Sequence, residues 1–139
     1  MIKVQITSEL PQWAKDIRQE VFINEQGFIN EFDDIDKRAW HLVVYDEETP
    51  LACCRFFRGD TPNEFIIGRL AVLKEHRGKQ LGALMMQEAE KYIKSIGGEK
   101  LSLSAQLRVR EFYEKQGFTA SGETYFDEYC EHIHMEKAL

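Results

Sequence analysis

A chain of 139 residues, 43% hydrophobic and 30% charged, can build one domain around a core of its own and little more. Its net charge of −6 argues against a charge-driven grip on nucleic acid or anionic membrane, and no run approaches the roughly 18 apolar residues that read as a membrane span. The N-terminal residues alternate like a strand and lack the apolar stretch of a signal peptide, so a cytoplasmic protein is expected.

Met1 to Thr7 alternates as a first strand. Ser8 is placed to cap a helix with Pro11 in its first turn; Trp13, Ile17, Val21 and Phe22 then recur at helical spacing to about Asn24. Gln26 to Arg38 is irregular and carries Glu31, Asp33, Asp34 and Asp36. Trp40 to Asp46 and Leu51 to Phe57 form a hairpin about a turn at Glu47 to Pro50. Cys53 and Cys54 are adjacent on that strand and point to opposite faces. With Cys130 they make an odd count and match no zinc spacing, so all three are read as small apolar residues and no metal is expected.

Gly59 to Asn63 is a second turn. Glu64 to Leu73 is a long apolar strand, with a bulge or a close backbone approach expected at Gly68. A helix from Gln80 to Ile96 stops at Gly97-Gly98. Leu101 to Ala105 is a short strand, Arg108 to Gln116 a helix closed by Gly117, and Phe118 to Ala120 pairs with Tyr129 to Glu136. The order β-α-β-β-β-α-β-α-β-β has no repeat or linker. It predicts one mixed α/β domain over residues 1–139, with a mostly antiparallel central sheet flanked by helices and at least one parallel connection.

The stretch from Arg69 to Leu84, R-L-A-V-L-K-E-H-R-G-K-Q-L-G-A-L, carries the most chemistry. A strand ends, a basic turn holding Arg77, Gly78 and Lys79 follows, and a helix begins at once. Backbone N–H groups at such a helix start have no carbonyl partner, and the helix dipole adds positive charge. A phosphate or pyrophosphate is the guest this suits. An acidic body with one basic loop fits a small phosphorylated ligand better than a polyanion.

At these residues the chain resembles the GNAT superfamily of acyl-CoA-dependent N-acyltransferases, whose pyrophosphate loop follows V-x-x-x-x-R-G-x-G-x-G/A. Val72, Arg77, Gly78 and Gly82 fall on that pattern; Gln80 stands where the family usually has Gly, and its side chain narrows the conformations open to the loop. The run F-Y-E-K-Q-G-F, Phe112 to Phe118, is similar to the family's Y-E-K-x-G-F. The N-terminal V-F-I-N-E-Q-G-F, Val21 to Phe28, and the tail C-E-H-I-H-M, Cys130 to Met135, resemble the ElaA-like and YjcF-like branch. Acyl-homoserine-lactone synthases share the fold and an acidic pattern after V-F, but are longer chains.

The resemblance implies a GNAT fold, acetyl-CoA as co-substrate, and an amine acceptor that is a small molecule or a peptide, on a monomer or homodimer. It implies that Leu70, Ala71 and Val72 offer backbone groups to pantetheine and that Arg77 to Ala83 (Arg77, Gly78, Lys79, Gln80, Leu81, Gly82, Ala83) hold the pyrophosphate. Gln106 stands where the family often has Asn on the pantetheine arm, and Tyr113 takes the place of the general acid for the leaving thiolate. On its own, Tyr113 also fits a ring packed on the sheet. A base or water chain must take a proton from the amine; Glu25, the Asp33, Asp34 and Asp36 cluster, His41 and His132 are the candidates. Glu25, Asp33, Asp34 and Arg69 are candidate acceptor contacts, the aspartates as an acidic lip for a cationic acceptor. Gln80 and the lack of an obvious base leave a catalytically weak CoA-binding regulatory module as the alternative.

Overall fold

The computed structural model describes all 139 residues. Seven strands form one sheet in the order β1-β2-β3-β4-β5-β7-β6: β1 Ile2–Thr7, β2 Trp40–Asp46, β3 Thr49–Arg58, β4 Glu64–Val72, β5 Lys100–Gln106, β6 Thr119–Asp127 and β7 Cys130–Ala138. Every pairing is antiparallel except β4 with β5. The α-helices are α1 Gln12–Arg18, α2 Leu81–Ser95 and α3 Arg110–Lys115. The mixed α/β architecture and the single parallel connection are those expected from the sequence. No helix is long and apolar enough to cross a membrane.

Each face of the sheet has its own core. On one, Leu81, Met85, Met86, Ala89 and Ile93 form a stripe along α2 and pack on Leu42, Phe56, Phe65, Leu101 and Met135. On the other, Ala14, Ile17, Val21 and Phe22 cover Val43, Cys53 and Ala71. Cys53 and Cys54 thus enter opposite cores, both free and buried.

Local details depart from the sequence expectations. Ser8 does not cap α1; Pro11 stands at the cap position with no side-chain bond. The helix does not run uniformly to Asn24, since Gln19–Glu25 winds as a π-helix and ends at Gln26 before Gly27 turns at φ 80°. Strand β6 continues to Asp127 instead of ending at Ala120, because its outer residues are exposed and carry no apolar alternation to read. The bulge in β4 lies one residue beyond Gly68: Cys53 pairs with Ala71 and Arg55 with Gly68, so Arg69 and Leu70 face Cys54 alone. Arg69 takes the left-handed conformation, φ 54°, which a side-chain-bearing residue adopts only when its surroundings hold it.

Those surroundings are ionic. Arg69 donates to the Glu31 carbonyl at 3.1 Å and pairs with the Glu31 carboxylate at 3.0 Å. Arg18, 1% exposed, donates to Glu31 and Asp36, each at 2.8 Å. Arg55 donates to Asp33 at 2.6 Å and to Asp36 at 2.9 Å. Three arginines and three carboxylates therefore interlock beneath the bulge. The expected lip of aspartates is corrected: Asp36 is buried, and both it and Asp33 are paired with arginines. Asp34 alone of the predicted aspartate cluster is fully solvated, beside Lys37. His41 belongs to the same network, donating from Nε2 to the Asp36 carbonyl at 2.9 Å.

Candidate active site

Strands β4 and β5 pair over only three positions, ending at Ile66 with Ser102. Beyond them β4 stays with β3 and β5 with β7, so the sheet splits and the inner edges lose their ladder. The bulge at Arg69 bends β4 just where the split opens. The result is a slot of about 940 Å³. Leu70, Ala71 and Val72 form one wall, with Leu103, Ser104 and Gln106 opposite, and Tyr113 and His132 also line it.

One end of the slot is the turn before α2. The first backbone bond of that helix runs from the Leu84 N–H to the Gln80 carbonyl, and no side chain caps the start. The N–H groups of Gly78 to Ala83 therefore have no acceptor within the protein. Gly78 and Gln80 are both left-handed, φ 81° and 64°, the alternation that folds successive N–H groups into an anion-binding concavity. Orphaned donors at a helix start fit the pyrophosphate of CoA. Gln80 adopts the conformation that glycine would take there, at a cost of about 1 kcal/mol. Gln80→Gly is expected to raise stability by up to about that amount, less the glycine's own chain entropy, and to leave the loop able to bind CoA. Thermal unfolding and CoA titration of the variant check this.

Gly82 is required for a different reason. A Cβ there would lie 2.9 Å from the ring of Phe112, which packs edge-on against Tyr113 with centroids 5.0 Å apart. Gly82→Val should cost about 1–3 kcal/mol through overpacking and displace the Phe112–Tyr113 pair, measurable as a lower Tm and weaker CoA binding.

Tyr113 sits among Phe112, Phe118 and the α2-side core. Burial pushes its hydroxyl well above the usual phenol range, so it stays protonated at any working pH. His132 is held by its Nδ1, 2.9 Å from the Cys130 carbonyl, and stacks on Tyr125. A carbonyl only accepts, so Nδ1 carries the hydrogen and Nε2 of the neutral ring keeps its lone pair. Tyr125, on β6, in turn bonds Ser104 of β5 over the intervening β7.

Arg77 and Glu25 meet each other. Two guanidinium nitrogens donate to the two Glu25 oxygens at 2.6 and 2.7 Å, and Nε donates to the Val72 carbonyl at 3.0 Å. The hydrogen bonds from Arg77 hold the Glu25 carboxyl below its ordinary range, which weakens it as a base. Beside this pair, Gln106 donates to Gln26 at 2.9 Å. Lys79 is turned to His76, and neither Asp34 nor His41 lines the slot. Arg69 does, as do Glu31 and Arg55. Sequence reasoning singled out neither Arg18 nor Arg55; a charged residue at a core position of an amphipathic helix, such as Arg18, was the available signal.

The model of the acetyltransferase (GNAT) domain matches residues 13–139. The chain belongs to the GNAT acetyltransferase family. Its likeness to the ElaA-like and YjcF-like branch is direct. The uncharacterized N-acetyltransferase YjcF of Bacillus subtilis is 33% identical over 87% of each chain. Escherichia coli ElaA superposes with a TM-score of 0.87 at 25% identity, over 99% of both chains. An acyl-CoA N-acyltransferase from Pseudomonas aeruginosa does so with 0.85 at 25%, over 99% of this chain and 100% of that one. The family, the fold and acyl transfer from an acyl-CoA donor follow from these matches. No group of His, Cys, Asp or Glu is arranged to hold a metal ion.

Proposed function

We propose that this GNAT member moves the acetyl group of acetyl-CoA directly onto the amine of a small molecule or peptide. The observation that carries the reading is one continuous slot with orphaned N–H groups at one end and a protonated Tyr113 along its wall. Acetyl-CoA supplies a thioester whose carbonyl carbon the amine attacks, so that a C–N bond forms, the C–S bond breaks and sulfur leaves as a thiolate.

The chain's residues orient the donor and move protons. Arg77 to Ala83 receive the pyrophosphate, charge-assisted bonds adding to the bare N–H groups. The open edge of β4 from Leu70 to Val72 and the amide of Gln106 align the pantetheine. Tyr113 gives its hydroxyl proton to the departing sulfur and recovers one from solvent. Nε2 of His132 takes the amine proton, directly or through water, a role its free lone pair suits better than the salt-bridged Glu25. Arg69 and Glu31 border the acceptor side.

Thiol release from acetyl-CoA with a panel of amines, beside calorimetric titration with CoA, tests this reading. Turnover with at least one amine is expected. CoA binding without turnover across a broad panel would instead make the chain a CoA-binding regulatory module.

A further inference from the structure

Two residues assigned above to the donor are already engaged, both by the end of the same π-wound segment. Glu25 holds Arg77 through two short hydrogen bonds, and Gln26 holds Gln106 at 2.9 Å. These three hydrogen bonds tie the segment Gln19–Glu25 and its C-terminal Gln26 across the slot. On their far side lies a second cavity of about 730 Å³, lined by Glu25, Gln26, Gln106, Tyr129 and Glu131 among others. Gln26 and Gln106 line both cavities, so their bond is part of the wall between them.

We propose that donor binding opens this wall: Arg77 exchanges Glu25 for the pyrophosphate, Gln106 exchanges Gln26 for pantetheine, and the second cavity becomes the acceptor's entrance. The proposal rests on the slot being the CoA site. The entrance stays closed until both partners are released. Their release also sets the charge of that entrance. Glu25, freed of Arg77, joins Glu131 in a cavity whose one lining cation is Arg108, and the negative charge in excess there favours a cationic, ammonium-bearing acceptor over an anionic one. The pair is partly exposed, Arg77 at 40% and Glu25 at 34%, so the latch is weak enough for a charged ligand to displace it.

A double-mutant cycle read by calorimetric titration with CoA alone tests the exchange. Glu25→Gln is expected to tighten CoA binding about two- to fivefold, the scale of a partly exposed ion pair no longer to be broken. Arg77→Ala should weaken binding. In the Arg77→Ala background Glu25→Gln should change nothing, because no latch remains; a tightening that persists there would be long-range charge repulsion and would overturn the proposal. Unchanged or weaker binding by the single Glu25→Gln variant would also overturn it. Gln26→Ala, which frees the side-chain N–H of Gln106 while its oxygen still accepts from Arg108, should tighten binding in the same direction, and a loss would count against the wall. Failure of the wild-type chain to bind CoA would remove the proposed function, and this exchange with it.

Discussion

Tyr113→Phe is expected to lower kcat by about 100-fold or more while CoA affinity and Tm stay close to wild type. The substitution removes one oxygen and leaves a ring that packs against Phe112 and Phe118. The magnitude is the usual scale for losing a positioned proton donor. The loss should appear in kcat more than in KM, since the proton moves only as the C–S bond breaks. Because burial keeps the hydroxyl protonated far into the alkaline range, the wild-type rate should show no alkaline fall owing to Tyr113 below pH 9. Steady-state kinetics with chemistry shown to be rate-limiting decide the matter. An unchanged kcat in the Phe variant would reduce Tyr113 to a packing residue.

The largest stability effect is expected at Asp36. Its carboxylate accepts hydrogen bonds from both Arg18 and Arg55 inside the protein. Asp36→Ala leaves Arg18 with one carboxylate and Arg55 with one, in a region water hardly reaches. Breaking a buried pair from one side typically costs about 3–5 kcal/mol, which for a chain of this size lowers Tm by roughly 10–20 °C. Burial alone would raise the Asp36 pKa, but the hydrogen bonds and charges of Arg18 and Arg55 hold it at about 2, below the ordinary 3.8. A depressed folded-state pKa gives stability that is present above about pH 4 and lost as pH falls toward 2. Acid unfolding followed by circular dichroism should therefore lose this contribution in that window for the wild type and show no such term in the variant. A Tm within a degree or two of wild type would mean that the arginines find other partners.

The sequence disclosed those parts of the molecule whose pattern is local. The Val72–Arg77–Gly78–Gly82 spacing and the F-Y-E-K-Q-G-F run are fixed along the chain, so the strand, turn and helix that frame the slot could be read directly. The apolar stripe of α2 was legible for the same reason. The ionic network was not. Arg18, Glu31, Asp36 and Arg55 come from a helix, a loop, a short 3-10 turn and a strand, and nothing in their spacing says that they meet. Loop aspartates are usually solvated, so the cluster read as an exposed lip when two of its members serve the interior. Gly68 drew attention as the residue free to bulge, yet the left-handed position fell to Arg69, because Glu31 and Asp33 hold its guanidinium. Likewise Arg77 was legible as a phosphate ligand, while its attachment to Glu25, 52 positions away in sequence, depends on how the π-wound segment lies across the sheet.

The opposed burial of Cys53 and Cys54 has a practical side. Burial raises both thiols, Cys53 to about 12 and Cys54 well above its ordinary range, and each is almost sealed from solvent, at 1% and 3% exposure. A disulfide reagent is consumed only when an accessible thiolate attacks it, so the folded protein presents it with Cys130 and nothing else of its own. A colorimetric count of free sulfhydryls should therefore saturate near one per chain before substrate is added. It should climb toward three only as the sheet comes apart, which makes the same reagent a clock for unfolding and a nearly silent background for turnover.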